Sequence, residues 1–140
     1  MGIVKTLMSA GAALALSVGW ASAHAHHSFS AEFDIGQPVE ITGVVADIEW
    51  TNPHTWVHME VTDEDGNKAQ WAVELLGVNA LARAGLSRRT LKPGDAIRVK
   101  GYRARNGTNT ANASSMVRAD TGEPLWTSSG EREQEVTPVP

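Results

Sequence analysis

The 140-residue chain contains no cysteine. That excludes disulfide cross-links and every thiolate metal site, so a metal ion here would have to be held by nitrogen and oxygen donors. Aromatic residues make up only 6% of the chain, leaving few rings to stack on nucleic-acid bases. Bases are nearly missing from one half: residues 24–80 carry ten carboxylates and only Lys68 as a base, whereas residues 81–140 carry ten bases and six acids. All five histidines lie in or before the acidic half, which favours a cation over an anion as its partner, unless interleaved strands bring the two halves together. There is no Ser/His/Asp order, no paired-carboxylate motif, no phosphate loop and no nucleotide fingerprint, so no enzymatic activity is expected.

What is present begins with a leader. "MGIVKTLMSAGAALALSVGWASAHA" has one positive charge, Lys5, an apolar run from about Leu7 to Trp20, and two overlapping A-x-A sites. This is the layout of a secretory signal. The run approaches the roughly 18 residues at which a membrane anchor becomes plausible, but its alanine and glycine content favours a cleaved signal peptide over residues 1–25. Cleavage after Ala23 starts the chain at His24 and cleavage after Ala25 starts it at His26; both products begin with histidine. The expected location is the periplasm, with no membrane span after cleavage. About 115 residues remain, enough for one domain with one core.

The periodicity of the remainder is mostly that of strands. "PVEITGVVADIEW" alternates through Val39 and Ile41 and resumes out of phase at Val44, Ala46, Ile48 and Trp50, which predicts a long strand with a bulge near Gly43. "TNPH" breaks it. "TWVHMEV" and "AQWAVEL" form the next two strands around a "DEDGN" turn. "NALARAGL" predicts a short helix with Asn79 as N-cap and Gly85 as its stop. "LKPGDAIRVKGY" and a segment near Ala111 to Arg118 give strands four and five. Three strands, a helix and two strands predict an all-β fold: a small five-stranded Greek-key barrel of the OB type, with one short helix between strands 3 and 4. The domain spans residues 26–126 including an N-terminal arm, with residues 127–140 as a disordered tail. An open antiparallel sheet or a sandwich is the competing arrangement.

An OB barrel invites a nucleic-acid reading, and Arg98, Lys100, Arg103 and Arg105 with Tyr102 do form a basic strip. The acidic balance and scarce aromatics argue against it. The strip reads as the solvated face of strand four, and no nucleic-acid partner is expected.

The segments "HHSFSAEFD", "EWTNPHTWVHMEV", "WAVEL", "LKPGDAIRVKGY" and "NGTNTANASSMV" resemble a family of exported bacterial proteins described only as a domain of unknown function. The resemblance runs from about His26 to Trp126, and its most specific parts are the HHSF start and the WTNPH motif. It implies an exported, single-domain bacterial protein and carries no activity with it.

The histidines are the candidate site. If cleavage follows Ala25, His26 offers its terminal amine and its ring as a chelate and His27 adds a second ring; an amine with a pKa of about 8 competes well near neutral pH. Cleavage after Ala23 places His26 third, an arrangement suited to square coordination of Cu(II). His54, in a loop framed by Trp50 and Trp56, is the first choice to complete the site, with His58 as the alternative. Glu32, Asp34 and Glu60 are possible oxygen ligands or orienting partners. "FSAEF" reads as a plug that anchors the arm. The expectation is a periplasmic protein that holds or passes on Cu(II) through His26, His27, His54 and His58. The alternative is an OB module without metal, docking on another envelope protein through the Trp50–Trp56 loop. Plainer readings are a polar leader at His26 and His27, a turn residue at His54 and an exposed strand residue at His58.

Overall fold

The computed structural model describes residues 29–128. The expected signal peptide, His26 and His27, and the expected tail beyond Ser128 lie outside the described residues. The elements run α1 (Phe29–Glu32), β1 (Phe33–Glu49), β2 (Trp56–Thr62), β3 (Lys68–Glu74), α2 (Val78–Arg83), β4 (Ala96–Ala104), β5 (Thr110–Arg118) and β6 (Pro124–Thr127).

β1 is 17 residues long and serves two neighbours. Its first part pairs antiparallel with β4, from Pro38↔Tyr102 to Val44↔Ala96, and its end pairs with β2, from Val44↔Glu60 to Glu49↔Trp56. β2 pairs with β3 and β4 with β5, all antiparallel. A short parallel pairing, Ala72↔Thr110 to Glu74↔Asn112, then joins β3 to β5 and closes the ring. Further along that edge of β5 the partner becomes β6, from Ser115↔Thr127 to Val117↔Pro124. The result is a mostly antiparallel, OB-like barrel, closed at one end by β3 and extended at the other by β6.

Several expectations are corrected. The described residues form six strands, not five: the Gly122 turn folds Pro124–Thr127 back onto β5, burying Trp126 to 5% exposure. Thr127 therefore belongs to a strand, not to the tail. The short helix expected between strands 3 and 4 is α2, and the arm adds a four-residue turn of helix, α1, ahead of β1. The bulge lies between Val45 and Asp47, not at Gly43. Inward alternation continues through 41, 43 and 45, with Ile41 and Val45 buried and Val44 46% exposed. Gly43 fills an inward position where a Cβ would run into the carbonyl oxygen of Glu60, so its lack of a side chain hides the true phase.

α2 starts at an N-cap of Gly77, not Asn79. Its end is as expected: Gly85 has φ +91°, and Leu86 N–H donates to Leu81 C=O while Gly85 N–H donates to Ala82 C=O, the paired bonds of a glycine-terminated helix. This carries Leu81, Leu86 and Leu91 into the core with Val57, Met59, Val73, Leu75, Ile97, Val99 and Met116. The unequal halves of the sequence do meet, since β1 lies against β4: Glu40 sits 3.7 Å from Arg98, and Asp34 3.5 Å from Arg105. No described helix is long and apolar enough to cross a membrane.

Candidate functional site

The loop between β1 and β2, residues 50–55, is tied down along its length. Thr55, fully buried, donates its N–H to Leu76 C=O and accepts from Leu75 N–H; Val78 N–H donates to Thr51 C=O, and the Thr51 hydroxyl donates to His54 C=O at 2.6 Å. The Asn52–Pro53 peptide is cis. Gly77 packs so closely against the loop that a Cβ there would meet Asn52 Oδ1 and the Pro53 carbonyl. Close approach to this loop is what requires glycine at the start of α2.

His54 projects from the loop over the seam where β2, β3 and β5 meet. Its side chain is 43% exposed, and its Nδ1 lies 2.7 Å from Oε1 of Glu74 at the end of β3. The contact is close, but the two groups are not aligned as a hydrogen bond, and Nδ1, itself buried, has no hydrogen-bond partner among the described residues. Glu74 is 5% exposed, and Asn112 Nδ2 donates to the same Oε1 at 3.3 Å. Register explains the grouping: Glu74 is paired with Trp56 on one side and with Asn112 on the other.

The N-terminal arm supplies the remaining wall. Phe33 is 3% exposed, stacks on Phe29 with centroids 5.7 Å apart, and Phe29 meets the edge of Tyr102 at 5.9 Å. Arg105 fastens the arm by donating Nε–H to Ser30 C=O at 2.8 Å and its backbone N–H to Glu32 C=O at 2.9 Å. "FSAEF" is thus an anchor. Between arm and loop lies a cleft of about 420 Å³ lined by Phe29, Glu32, Phe33, Thr51, Asn52, Pro53, His54, Trp56, Glu74 and Asn112.

The other expected site residues fare differently. His58 does not line this cleft; it stands on β2 with Nε2 2.7 Å from Glu49 Oε1. Glu60 is paired with Lys68 at 2.7 Å. Asp34 accepts from Gly36 N–H and from Gln37 Nε2; those two bonds, with Arg105 beside them, hold its carboxyl below the usual value of 3.8. Among the described residues no three His, Asp or Glu side chains are grouped as a metal centre. His26 and His27 lie outside the described residues.

Glu74 and Asn112 were not expected from the sequence. Val73 and Leu75 point inward, so Glu74 reads as an outward, solvated position, yet it is buried where the arm and the loop line the same cleft.

No curated protein matches the sequence. Among solved structures the chain is similar to the mitochondrial single-stranded DNA-binding protein Rim1 of S. cerevisiae (8% identity, TM-score 0.44, covering 57% of this chain and 91% of that one). It is also similar to a small single-stranded DNA-binding protein from Streptomyces coelicolor (19%, TM-score 0.43, 58% and 89%). A third is the N-terminal domain of PriB from Thermoanaerobacter tencongensis (19%, TM-score 0.43, 58% and 93%). Likeness at this level concerns the fold alone. Two of these three are named for single-stranded DNA binding, which is said of those proteins alone; the exclusion of nucleic acid drawn from composition is withdrawn because net charge and aromatic content are chain averages that do not describe one face of a barrel. Residues 13–113 match the model of a family of unknown function, DUF6152, and the chain belongs to that family.

Proposed function

We propose that this protein is an exported, periplasmic binding protein that holds or passes on Cu(II) in the cleft between arm and loop, with His54 and the freed N-terminal histidines as ligands. The observation that carries this reading is that Phe29 and His54 line one cleft. His27 precedes Phe29 by two residues, so a chain span of at most roughly 7 Å separates its backbone from the wall of that cleft. A tether this short raises the effective concentration of the arm's donors beside His54. The amine and ring of His26, the ring of His27 and the ring of His54 form a nitrogen-rich set of the kind that suits Cu(II), with Zn(II) as the fallback. His58, paired with Glu49 elsewhere on β2, is outside this ligand set.

The test is a Cu(II) titration of the mature protein, followed by absorption and paramagnetic resonance spectra. It is repeated with one residue added before the mature N-terminus, with His54→Ala and with His58→Ala. One equivalent is expected to bind, with the first two variants weakened and spectrally altered and the third unchanged. Identical stoichiometry and spectra in all four would reject the site.

A second reading, an OB-like module that docks on another envelope protein through the Trp50–Trp56 loop, has one observation in its favour. Beside the loop, Trp50, Val78, Ala82, Leu86, Arg88 and Arg89 line a pocket of about 250 Å³, with the Arg88 guanidinium over the Trp50 ring at 5.7 Å. Absence of copper binding, together with loss of a partner on Trp50→Ala, would favour it.

A further inference from the structure

Glu74 is a carboxylate with almost no access to water, yet it sits on the outer side of β3, where nothing in the barrel core requires it. Burying a carboxylate is costly unless polar groups face it. Here Asn112 Nδ2 donates to Oε1 from β5, and His54 Nδ1 stands 2.7 Å from the same oxygen, a polar contact from the loop without hydrogen-bond alignment. These two groups come from elements that register fixes beside β3, Asn112 through its pairing with Glu74 and the loop through Thr55 and Leu75.

We infer that Glu74, held in place by Asn112, is the positioning residue for the His54 ring: it keeps the proton on Nδ1 and turns Nε2, with its lone pair, toward the cleft. A neutral imidazole carries one proton on either nitrogen, and a carboxylate beside one nitrogen holds it there. On the copper reading above, on which the consequence but not the geometry depends, Nε2 is then the donor nitrogen. A carboxylate behind a ligating histidine fixes the orientation of the ring. Glu74 touches no metal in this scheme; it acts through His54.

The tautomer can be read without any metal, from long-range proton–nitrogen correlation spectra of the histidine side chains in the mature, metal-free protein. His54 is expected as the Nδ1–H form. Glu74→Met, which removes the carboxylate at similar volume, is expected to shift it toward the Nε2–H form usual for a free imidazole. Glu74→Gln, which keeps a carbonyl acceptor, is expected to restore it in part, and His58 should not move in either variant. An Nε2–H form in the unaltered protein overturns the inference without recourse to a variant, as does a tautomer indifferent to Glu74→Met. Cu(II) affinity of Glu74→Met is expected to fall roughly ten- to a hundredfold. If the unaltered protein binds no Cu(II) but the tautomer responds as stated, the copper reading fails and the positioning role stands. If Cu(II) binds as proposed and the tautomer ignores Glu74, the positioning role fails alone.

Discussion

At the scale of single residues, the site depends on contacts that leave no room for change. Gly77 is the clearest case, because any side chain there would press on Asn52 and on the Pro53 carbonyl, the two residues that lead into His54. Gly77→Ala is expected to cost on the order of 1–3 kcal/mol, the usual range for overpacking, measured as a lower denaturant midpoint. It should also disturb the His54 environment, visible as shifted ring resonances. Gly66→Ala makes a useful contrast. Its Cβ would meet nothing, and its φ of +84° leaves only backbone strain, so it should cost roughly 1–2 kcal/mol and leave His54 resonances where they are. Such a difference is invisible in a sequence where both positions read simply as glycine.

At the scale of elements, the turn between β2 and β3 and the helix α2 lend themselves to measurement. Asp63 accepts from the backbone N–H groups of Asp65 and Asn67 and from the Asn67 side chain, at 2.8–3.1 Å. The Asn67 side chain first, and then its backbone N–H, lower the Asp63 pKa below 3.8. A carboxyl whose pKa is lowered by folding stabilises the native state above its unfolded value, and that contribution disappears as pH falls through the folded value. The Tm difference between the parent protein and Asp63→Ala is therefore expected to be full at neutral pH and to shrink progressively below about pH 4. In α2, Leu81 is fully buried and joins the helix to the core. Leu81→Ala should destabilise by about 2–5 kcal/mol, the range for core truncations, read by chemical denaturation.

The same elements show how far sequence patterns reach. Alternation in "TWVHMEV", "AQWAVEL" and "AIRVK" puts Val57, Met59 and Val61, then Ala69, Trp71, Val73 and Leu75, then Ile97 and Val99 each on one face; Val57, Met59, Val73, Leu75, Ile97 and Val99 are buried, and Val61, Ala69 and Trp71 are half-buried. It worked because each strand has one solvated face and the side-chain period is two. It failed at β1, where Gly43 occupies an inward slot with no apolar mark and the bulge sits after Val45. It failed again at the start of α2, where Gly77 displaced Asn79 because proximity to the loop outweighs capping preference. β6 was missed because four residues carry too little periodicity; only pairing with β5 makes Pro124–Thr127 a strand.

At the scale of the whole molecule, the arm is the part that turns a barrel into a site. Phe33→Ala, which removes a nearly fully buried anchor, is expected to cost about 3–5 kcal/mol and to weaken Cu(II) binding beyond the effect of lost stability. Proteolysis near the arm, followed alongside a copper titration, checks both. On the proposed function, Cu(II) at a hundred times its Kd should stabilise the fold by about 2.7 kcal/mol if the unfolded chain does not bind. For a domain of this size that is a rise in Tm on the order of 10–20 °C, reversed by a chelator; no shift would count against a site made jointly by arm and loop.

By itself the sequence determined the class of the molecule: five strands and a helix in OB-like order, inward faces on three of those strands, an anchoring arm, and a histidine in the first connecting loop. Those features are local, set by side-chain periods, by glycine and proline, and by residues within a few positions of one another. Only the tertiary structure decided that His54 faces Glu74 and Asn112, that His58 belongs to Glu49 instead, and that the arm lies across the same cleft. Those relations join residues up to 75 positions apart, as between Ser30 and Arg105. Strand register and ring closure bring such residues together, and neither is written in any one stretch of chain.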